Sequence, residues 1–92
     1  MTRDEADTIA LQALAFILSE EGRADRFLAI SGMDREELIR AAQAGEPGLM
    51  GGVLDFLLDW EPDLLAFCEG AGLAPELPLR ARRVLPGAVL EY

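Results

Sequence analysis

The fold of this chain is decided by two matching stretches, IALQALAFIL at residues 9–18 and LMGGVLDFLL at residues 49–58. They are related by a shift of forty positions without a gap, and the same shift continues through both halves of the chain. Chance would leave fewer identities, even with Leu and Ala as common as they are. Identical pairs under the shift include Phe16/Phe56, Glu21/Glu61, Phe27/Phe67, Gly32/Gly72 and Arg40/Arg80.

The amphipathic pattern repeats together with the identities. In the first half, a stripe of polar or small residues runs through Thr8, Gln12, Ala15 and Ser19. Forty positions later the stripe consists of Gly48, Gly52, Asp55 and Asp59. Because spacings of three and four residues mark one face of a helix, the sequence predicts two structurally similar units, about 8–44 and 48–84. A forty-residue period is near that of HEAT-type repeats, but two units are too few for a solenoid and are expected to close on each other.

Helix signals are dense and strand signals are nearly absent. Thr2 with Glu5, and Asp34 with Glu37, fit capping boxes, and Gly32 is expected to end a helix in the left-handed conformation. Six helices are expected, over about residues 3–21, 24–31, 35–44, 48–60, 62 to 70 or 72, and 75 or 78 to 85, with Gly22 ending the first. The predicted fold class is all-α, with about six helices arranged as two pseudo-two-fold-related three-helix units in a single domain, residues 1–92.

Composition restricts the possible partners. The 92 residues carry 17 acidic and 8 basic side chains, a formal net charge of −9. Such a chain repels phosphate backbones and anionic membrane surfaces. Its acidic N-terminus is not that of a secretory signal, and its longest apolar stretch is too short to span a bilayer. A soluble bacterial cytoplasmic protein is expected, without membrane association and with nucleic acid disfavoured.

Few side chains are suited to catalysis. The chain has no His and no Lys, so acid–base chemistry would fall to carboxylates, Cys68 or Tyr92. Cys68 is the single cysteine and aligns with Leu28, which favours a place in the core over a nucleophile. We therefore expect no enzyme activity and no catalytic, cofactor-binding or metal-binding residues.

Two other local patterns have both a structural and a functional interpretation. Asp55 and Asp59 lie four residues apart and could form a cation site or simply a solvated helix face; the second interpretation is preferred. Gly51 and Gly52 could suggest a phosphate loop, but the Gly-Lys-Ser/Thr ending is absent. Close helix approach explains these glycines better.

Residues 27–42 resemble a DNA-binding helix-turn-helix, with a glycine turn at Gly32 between two short helices, and residues 67–83 repeat the shape. The second helix of the first copy begins with Asp34, Glu36 and Glu37, which would face base edges and phosphates. DNA binding is therefore the alternative to the preferred function and not the first choice.

Positions that differ between the halves indicate a candidate partner-binding surface. Glu20, Ala24 and Asp25 correspond to Trp60, Leu64 and Leu65. If positions 20 and 24 lie near solvent, these apolar replacements form an exposed patch, and Trp is enriched at binding hot spots. Alternatively, the C-terminal tail covers them, through Val89, Leu90 or Tyr92.

The four phenylalanines fall in equivalent pairs at apolar helix positions. Phe16 corresponds to Phe56, and Phe27 corresponds to Phe67. All four are expected to form the core.

The runs LAISGMD at residues 28–34, VLDFLL at 53–58 and LLAF at 64–67 resemble a family of small alphaproteobacterial proteins known as a domain of unknown function. The resemblance covers about residues 6–85. It implies an all-helical cytoplasmic protein, and it supplies no catalytic residues to carry over.

These observations favour a non-enzymatic protein–protein interaction module, binding itself or another protein. A helix-turn-helix regulator is the alternative, and an enzyme ranks third. The sequence names neither the partner nor the pathway.

Overall fold

The structure, a computed structural model, describes residues 1–87, and in that range the chain is all-helical. The helices are α1 (Arg3–Leu18), α2 (Glu21–Ser31), α3 (Arg35–Gln43), α4 (Pro47–Leu58), α5 (Glu61–Ala71) and α6 (Leu77–Val84). The number and order of the helices agree with the sequence-based prediction. The bounds of α2 and α5 differ by forty positions at both ends.

The predicted helix caps are present. The Thr2 hydroxyl accepts a hydrogen bond from the Glu5 N–H at 3.1 Å, and the Glu5 carboxylate accepts one from the Thr2 N–H at 3.0 Å. Asp34 and Glu37 form the same reciprocal pair at the start of α3. Gly32 ends α2 with φ of 74° and Gly72 ends α5 with φ of 68°. Both glycines adopt the left-handed conformation that other residues rarely reach.

The first helix is shorter than predicted. It ends at Leu18, where the Ser19 hydroxyl donates to the Phe16 carbonyl at 2.6 Å and the Ser19 N–H bonds to the same oxygen. Gly22 lies inside α2, so its predicted role as a helix end was wrong. The break falls earlier because the chain turns at Ser19 and Glu20, and a single Gly in a helix costs only about 1 kcal/mol. In the second unit α4 ends at Leu58, also earlier than predicted.

The core lies where α1 and α4 cross, with α6 packed against both of them. α3 packs on α4, more loosely than α6 packs on α1. Several positions are buried in both halves of the chain. These pairs are Ile9/Leu49, Ala10/Met50, Ala13/Val53, Leu14/Leu54, Ile17/Leu57, Phe27/Phe67, Leu38/Pro78 and Ala41/Ala81.

The phenylalanine prediction holds for two of the four rings. Phe27 and Phe67 are buried, whereas Phe16 and Phe56 are partly buried and pack against the core from its edge. Each partly buried ring contacts the buried ring of the other half, Phe16 with Phe67 at 5.6 Å between centroids and Phe56 with Phe27 at 5.3 Å. The outer rings face arginines instead of further apolar side chains: the Arg23 guanidinium lies 4.0 Å from the Phe16 centroid.

Within residues 1–87, none of the helices has the length and apolar character needed to cross a bilayer.

Candidate interaction groove

A groove of about 590 Å³ runs between α2 and α4. We call it the α2–α4 groove. On α4 its lining residues are spaced three or four apart, from the first turn at Gly48 to the C-terminal end at Asp59. The full lining is Arg26, Phe27, Ile30, Ser31, Met33, Gly48, Leu49, Gly52, Asp55, Phe56, Asp59 and Trp60.

Two glycines form the α4 wall of the groove. A Cβ atom added at Gly48 or Gly52 would meet no atom within 4 Å, so their missing side chains leave open space. Gly51 differs, because a Cβ there would lie 3.0 Å from the Arg82 guanidinium. Gly51 therefore accommodates α6, whereas Gly48 and Gly52 open the groove. The expectation of close helix approach holds for Gly51 alone.

The floor and rim of the groove are apolar. Phe27 and Leu49 are buried beneath it, and Phe56 and Met33 are partly buried at its sides. At the rim, Ile30 is 75% exposed and Trp60 is 53% exposed. Two large apolar side chains in solvent beside a concave apolar surface are characteristic of a binding site.

The charges around the groove are mostly negative. Asp55 and Asp59 are exposed on the α4 edge, and one Asp55 oxygen accepts from the Arg82 Nε at 2.7 Å. Arg26 lies on the α2 edge, where its Nη2 is 3.0 Å from an Asp63 oxygen. Arg26 is thus paired with Asp63 and Asp55 with Arg82, which leaves Asp59 as the charged lining side chain without a salt bridge among the described residues.

The face of α1 that corresponds to the α4 wall under the forty-residue shift encloses less space. A smaller hollow of about 420 Å³ lies there, lined in part by Thr8, Gln12 and Leu73. Thr8 and Gln12 occupy the positions that Gly48 and Gly52 hold in the α2–α4 groove. The groove therefore occurs where the two halves of the chain differ in side-chain size.

The three predicted partner-binding residues have different surroundings, although the Leu64 N–H donates to the Trp60 carbonyl at 3.1 Å. Trp60 lies at the groove rim, Leu64 packs against the core, and Leu65 is exposed away from the groove lining. The expectation that position 24 lies near solvent was wrong, since Ala24 is fully buried. Leu64 lies at the corresponding position of α5, and its side chain packs against the core. The tail residues proposed to cover Trp60 lie outside the described residues.

The sequence reasoning missed most of the groove. Ile30, Met33 and Arg26 were not singled out, and Gly48 and Gly52 were noted only as part of the polar stripe. The available signal was the exchange of Thr8 and Gln12 for glycines at the same stripe positions. Size differences within an otherwise repeated stripe indicate where one unit has an opening and the other does not.

Cys68 lies in the hydrophobic core and is 2% exposed. Burial raises the pKa of its thiol, and the carboxylate of Glu76 raises it further. A thiol in this environment stays protonated at neutral pH and is a poor nucleophile. Within residues 1–87, no group of three His, Cys, Asp or Glu side chains could jointly hold a metal ion.

In both halves two short helices lie on either side of a left-handed glycine, Gly32 or Gly72, and the basic residues on them are distributed unevenly. Arg80 and Arg83 are exposed on α6, while Arg82 is bound internally, through Asp55 and through the carbonyl oxygens of Leu85 and Pro86. In the first copy, the exposed start of α3 is acidic.

The chain belongs to the family described as "Protein of unknown function (DUF3572)", whose profile matches residues 3–88. The resemblance to an uncharacterised helical domain family is thereby confirmed. No curated protein and no solved structure matches the chain significantly.

Proposed function

We propose that this protein is a non-enzymatic protein–protein interaction module and that the α2–α4 groove is its binding site. The observation that carries the proposal is the combination of an apolar floor, a glycine wall and two exposed apolar side chains in the lining, Ile30 on α2 and Trp60 just after α4. Exposing such side chains in water is unfavourable, and covering them with a partner would stabilise a complex. A bacterial cytoplasmic setting, with the alphaproteobacterial origin expected from the resemblance, is part of this proposal.

We further propose that the fold is an internal duplication with pseudo-two-fold symmetry. Support comes from the matching bounds of α2 and α5, the left-handed glycines at 32 and 72, and the positions buried in both halves. The forty-residue shift also relates the two phenylalanine contacts. Phe16 corresponds to Phe56 and Phe67 to Phe27, so the Phe16–Phe67 contact corresponds to the Phe56–Phe27 contact. In this arrangement the groove lies between the two units, with α2 of the first as one wall and α4 of the second as the other.

The absence of catalysis is also part of the proposal. Acid–base catalysis commonly uses groups titrating near neutral pH, which His provides, and the chain contains no His. The single thiol of the chain, that of Cys68, is buried in the core. The carboxylates at the groove rim are exposed, and Asp55 is engaged by Arg82.

The helix-turn-helix regulator remains the second candidate, because exposed Arg80 and Arg83 lie on the second copy of the motif. A gel-shift titration over a range of salt concentrations tests it. Substituting both arginines by Ala would weaken phosphate contacts and lower the salt dependence if α6 bound DNA.

The interaction function is tested by affinity capture from cells of the native bacterium, with quantitative mass spectrometry. Gly52→Gln restores at position 52 the residue that the first unit has at position 12, and it should fill the groove without disturbing packing. Leu65→Ala is the matched control, because Leu65 is exposed, apolar and outside the groove. We expect at least one protein to be captured by the wild type and by Leu65→Ala and lost with Gly52→Gln. Identical captures by all three proteins would refute the proposal.

A further inference from the structure

Resting on the interaction function proposed above, we infer that the groove binds an amphipathic helix of about three turns whose apolar face is flanked by Arg or Lys. The length follows from the α4 wall, which runs from Gly48 to Asp59. At ~1.5 Å per residue this distance is roughly 16 Å along the helix axis, or about three turns.

Both walls of the groove are helices, which favours a helical partner over an extended one. α2 and α4 use their backbone N–H and C=O groups within their own helices, and the part of the chain that the structure describes has no strand edge. An extended peptide would find no backbone partners in such a groove, whereas a helix satisfies its own. Helix-in-groove binding requires only apolar side chains at helical spacing.

The apolar surfaces determine which face of that helix is buried. Phe27, Leu49 and Phe56 form the floor, and Trp60 and Ile30 stand on opposite sides of the opening, one after α4 and one on α2. The glycine wall lets a partner backbone approach α4 closely. Bulky apolar residues three or four positions apart on the partner would fill the floor between the two rim side chains.

The charges beside the groove indicate which residues should flank the apolar face of the partner helix. Asp59 is exposed and forms no salt bridge among the described residues, whereas Arg26 is paired with Asp63 and Asp55 with Arg82. The chain as a whole has a net charge of −9. Basic flanks on the partner would approach the α4 edge favourably, whereas a second copy of this acidic chain would be repelled.

The test is selection of a display library of random 15-residue peptides on the purified full-length protein, followed by titrations of the enriched peptides. Trp60 is the only tryptophan and reports binding at the rim by its fluorescence. We expect enriched peptides to combine net positive charge with bulky apolar residues three or four apart. Their affinity should fall at least tenfold with Gly52→Gln and stay within twofold with Leu65→Ala. Replacing their Arg and Lys by Glu should also weaken binding at least tenfold.

The outcomes separate this inference from the proposed function. Acidic or uncharged peptides that still lose affinity to Gly52→Gln would overturn the inferred partner chemistry while leaving the groove as a binding site. A lack of enrichment, or peptides indifferent to Gly52→Gln, would overturn both. A dimer of the purified protein that Gly52→Gln dissociates would identify a second copy as the occupant and overturn the inference.

Discussion

At the residue scale, the glycines of α4 have different roles although they adjoin in sequence. Gly51 leaves room for the Arg82 guanidinium. That guanidinium donates hydrogen bonds to the Asp55 carboxylate and to the carbonyl oxygens of Leu85 and Pro86. At Gly48 and Gly52, no atom of the described residues lies within 4 Å of the position that a Cβ would take. Their absence of side chains weakens the helix without improving internal packing, which fits a surface shaped for another molecule.

Gly52→Ala should therefore stabilise the protein. Alanine in a helix interior is favoured over glycine by about 0.5–1 kcal/mol, and the added Cβ meets no other atom within 4 Å. Urea unfolding followed by circular dichroism measures the gain in the free energy of unfolding. Gly51→Ala is the control and should gain less stability than Gly52→Ala, because its Cβ would lie 3.0 Å from the Arg82 guanidinium and displace it from Asp55. A loss of stability in Gly52→Ala would show that position 52 is packed in solution.

The two classes of phenylalanine should respond differently to truncation. Phe67→Ala removes a ring that is 2% exposed and should cost about 3–5 kcal/mol of unfolding free energy, a large share of the stability of a small domain. Phe16→Ala removes a partly buried ring and should cost less. Equal losses, measured by denaturant unfolding of both variants, would contradict the distinction between core and edge.

Sequence reasoning succeeded for residues with strong local preferences. The capping residues Thr2 and Asp34 and the left-handed Gly32 were predictable because their roles depend on immediate neighbours. Ala24 and Leu64 were misplaced because burial depends on how α2 and α5 meet the core. The groove was missed for the same reason: periodicity shows that Gly48 and Gly52 share a face, but only packing shows that the face stays open.

At the scale of elements, α2 and α5 meet through charged side chains. Arg23 Nη2 lies 3.4 Å from one Asp63 oxygen and Arg23 Nε lies 3.4 Å from the other, while both side chains are nearly buried. Positions 23 and 63 are equivalent under the forty-residue shift. A residue that contacts its own equivalent lies near a two-fold axis, where two identical charges would repel each other.

A charge reversal tests this arrangement. Arg23→Asp should destabilise the protein by about 2 kcal/mol or more, between the values for exposed and buried pairs, because it places a carboxylate against Asp63 and beside Glu20. Combining it with Asp63→Arg should recover at least half of that loss. Recovery is expected because an arginine introduced at position 63 would have the Phe56 ring where Arg23 has Phe16. Denaturant unfolding of both variants measures the coupling, and additive losses would count against the pseudo-two-fold relation.

The start of α1 should be sensitive to acid. Hydrogen bonds from the Thr2 backbone and side chain lower the pKa of the Glu5 carboxyl in the folded protein. Its stabilising contribution is therefore complete above the ordinary glutamate pKa of about 4.3 and is lost as the pH falls through the lower folded value. The stability difference between wild type and Glu5→Ala should shrink between pH 6 and pH 3 in urea unfolding experiments. A difference that grows on acidification would contradict the cap.

At the scale of the whole molecule, two similar halves present two different surfaces. The side chains of Thr8 and Gln12 line the smaller hollow, whereas the α2–α4 groove has Gly48 and Gly52 at those positions and Ile30 and Trp60 in its lining. Under the proposed duplication, the two faces related by the forty-residue shift have diverged in side-chain size. In this account the repeated apolar positions form the core, and positions that differ between the halves form part of the proposed binding site.

The most direct test of that account is an amide chemical-shift titration of the ¹⁵N-labelled full-length protein with the most enriched library peptide. We expect the largest shifts at Gly48, Gly52, Asp59 and the Trp60 indole N–H, with Thr8 and Gln12 unchanged. Shifts centred on Thr8 and Gln12, or on the exposed Leu65 surface, would contradict the assignment of the α2–α4 groove as the binding site.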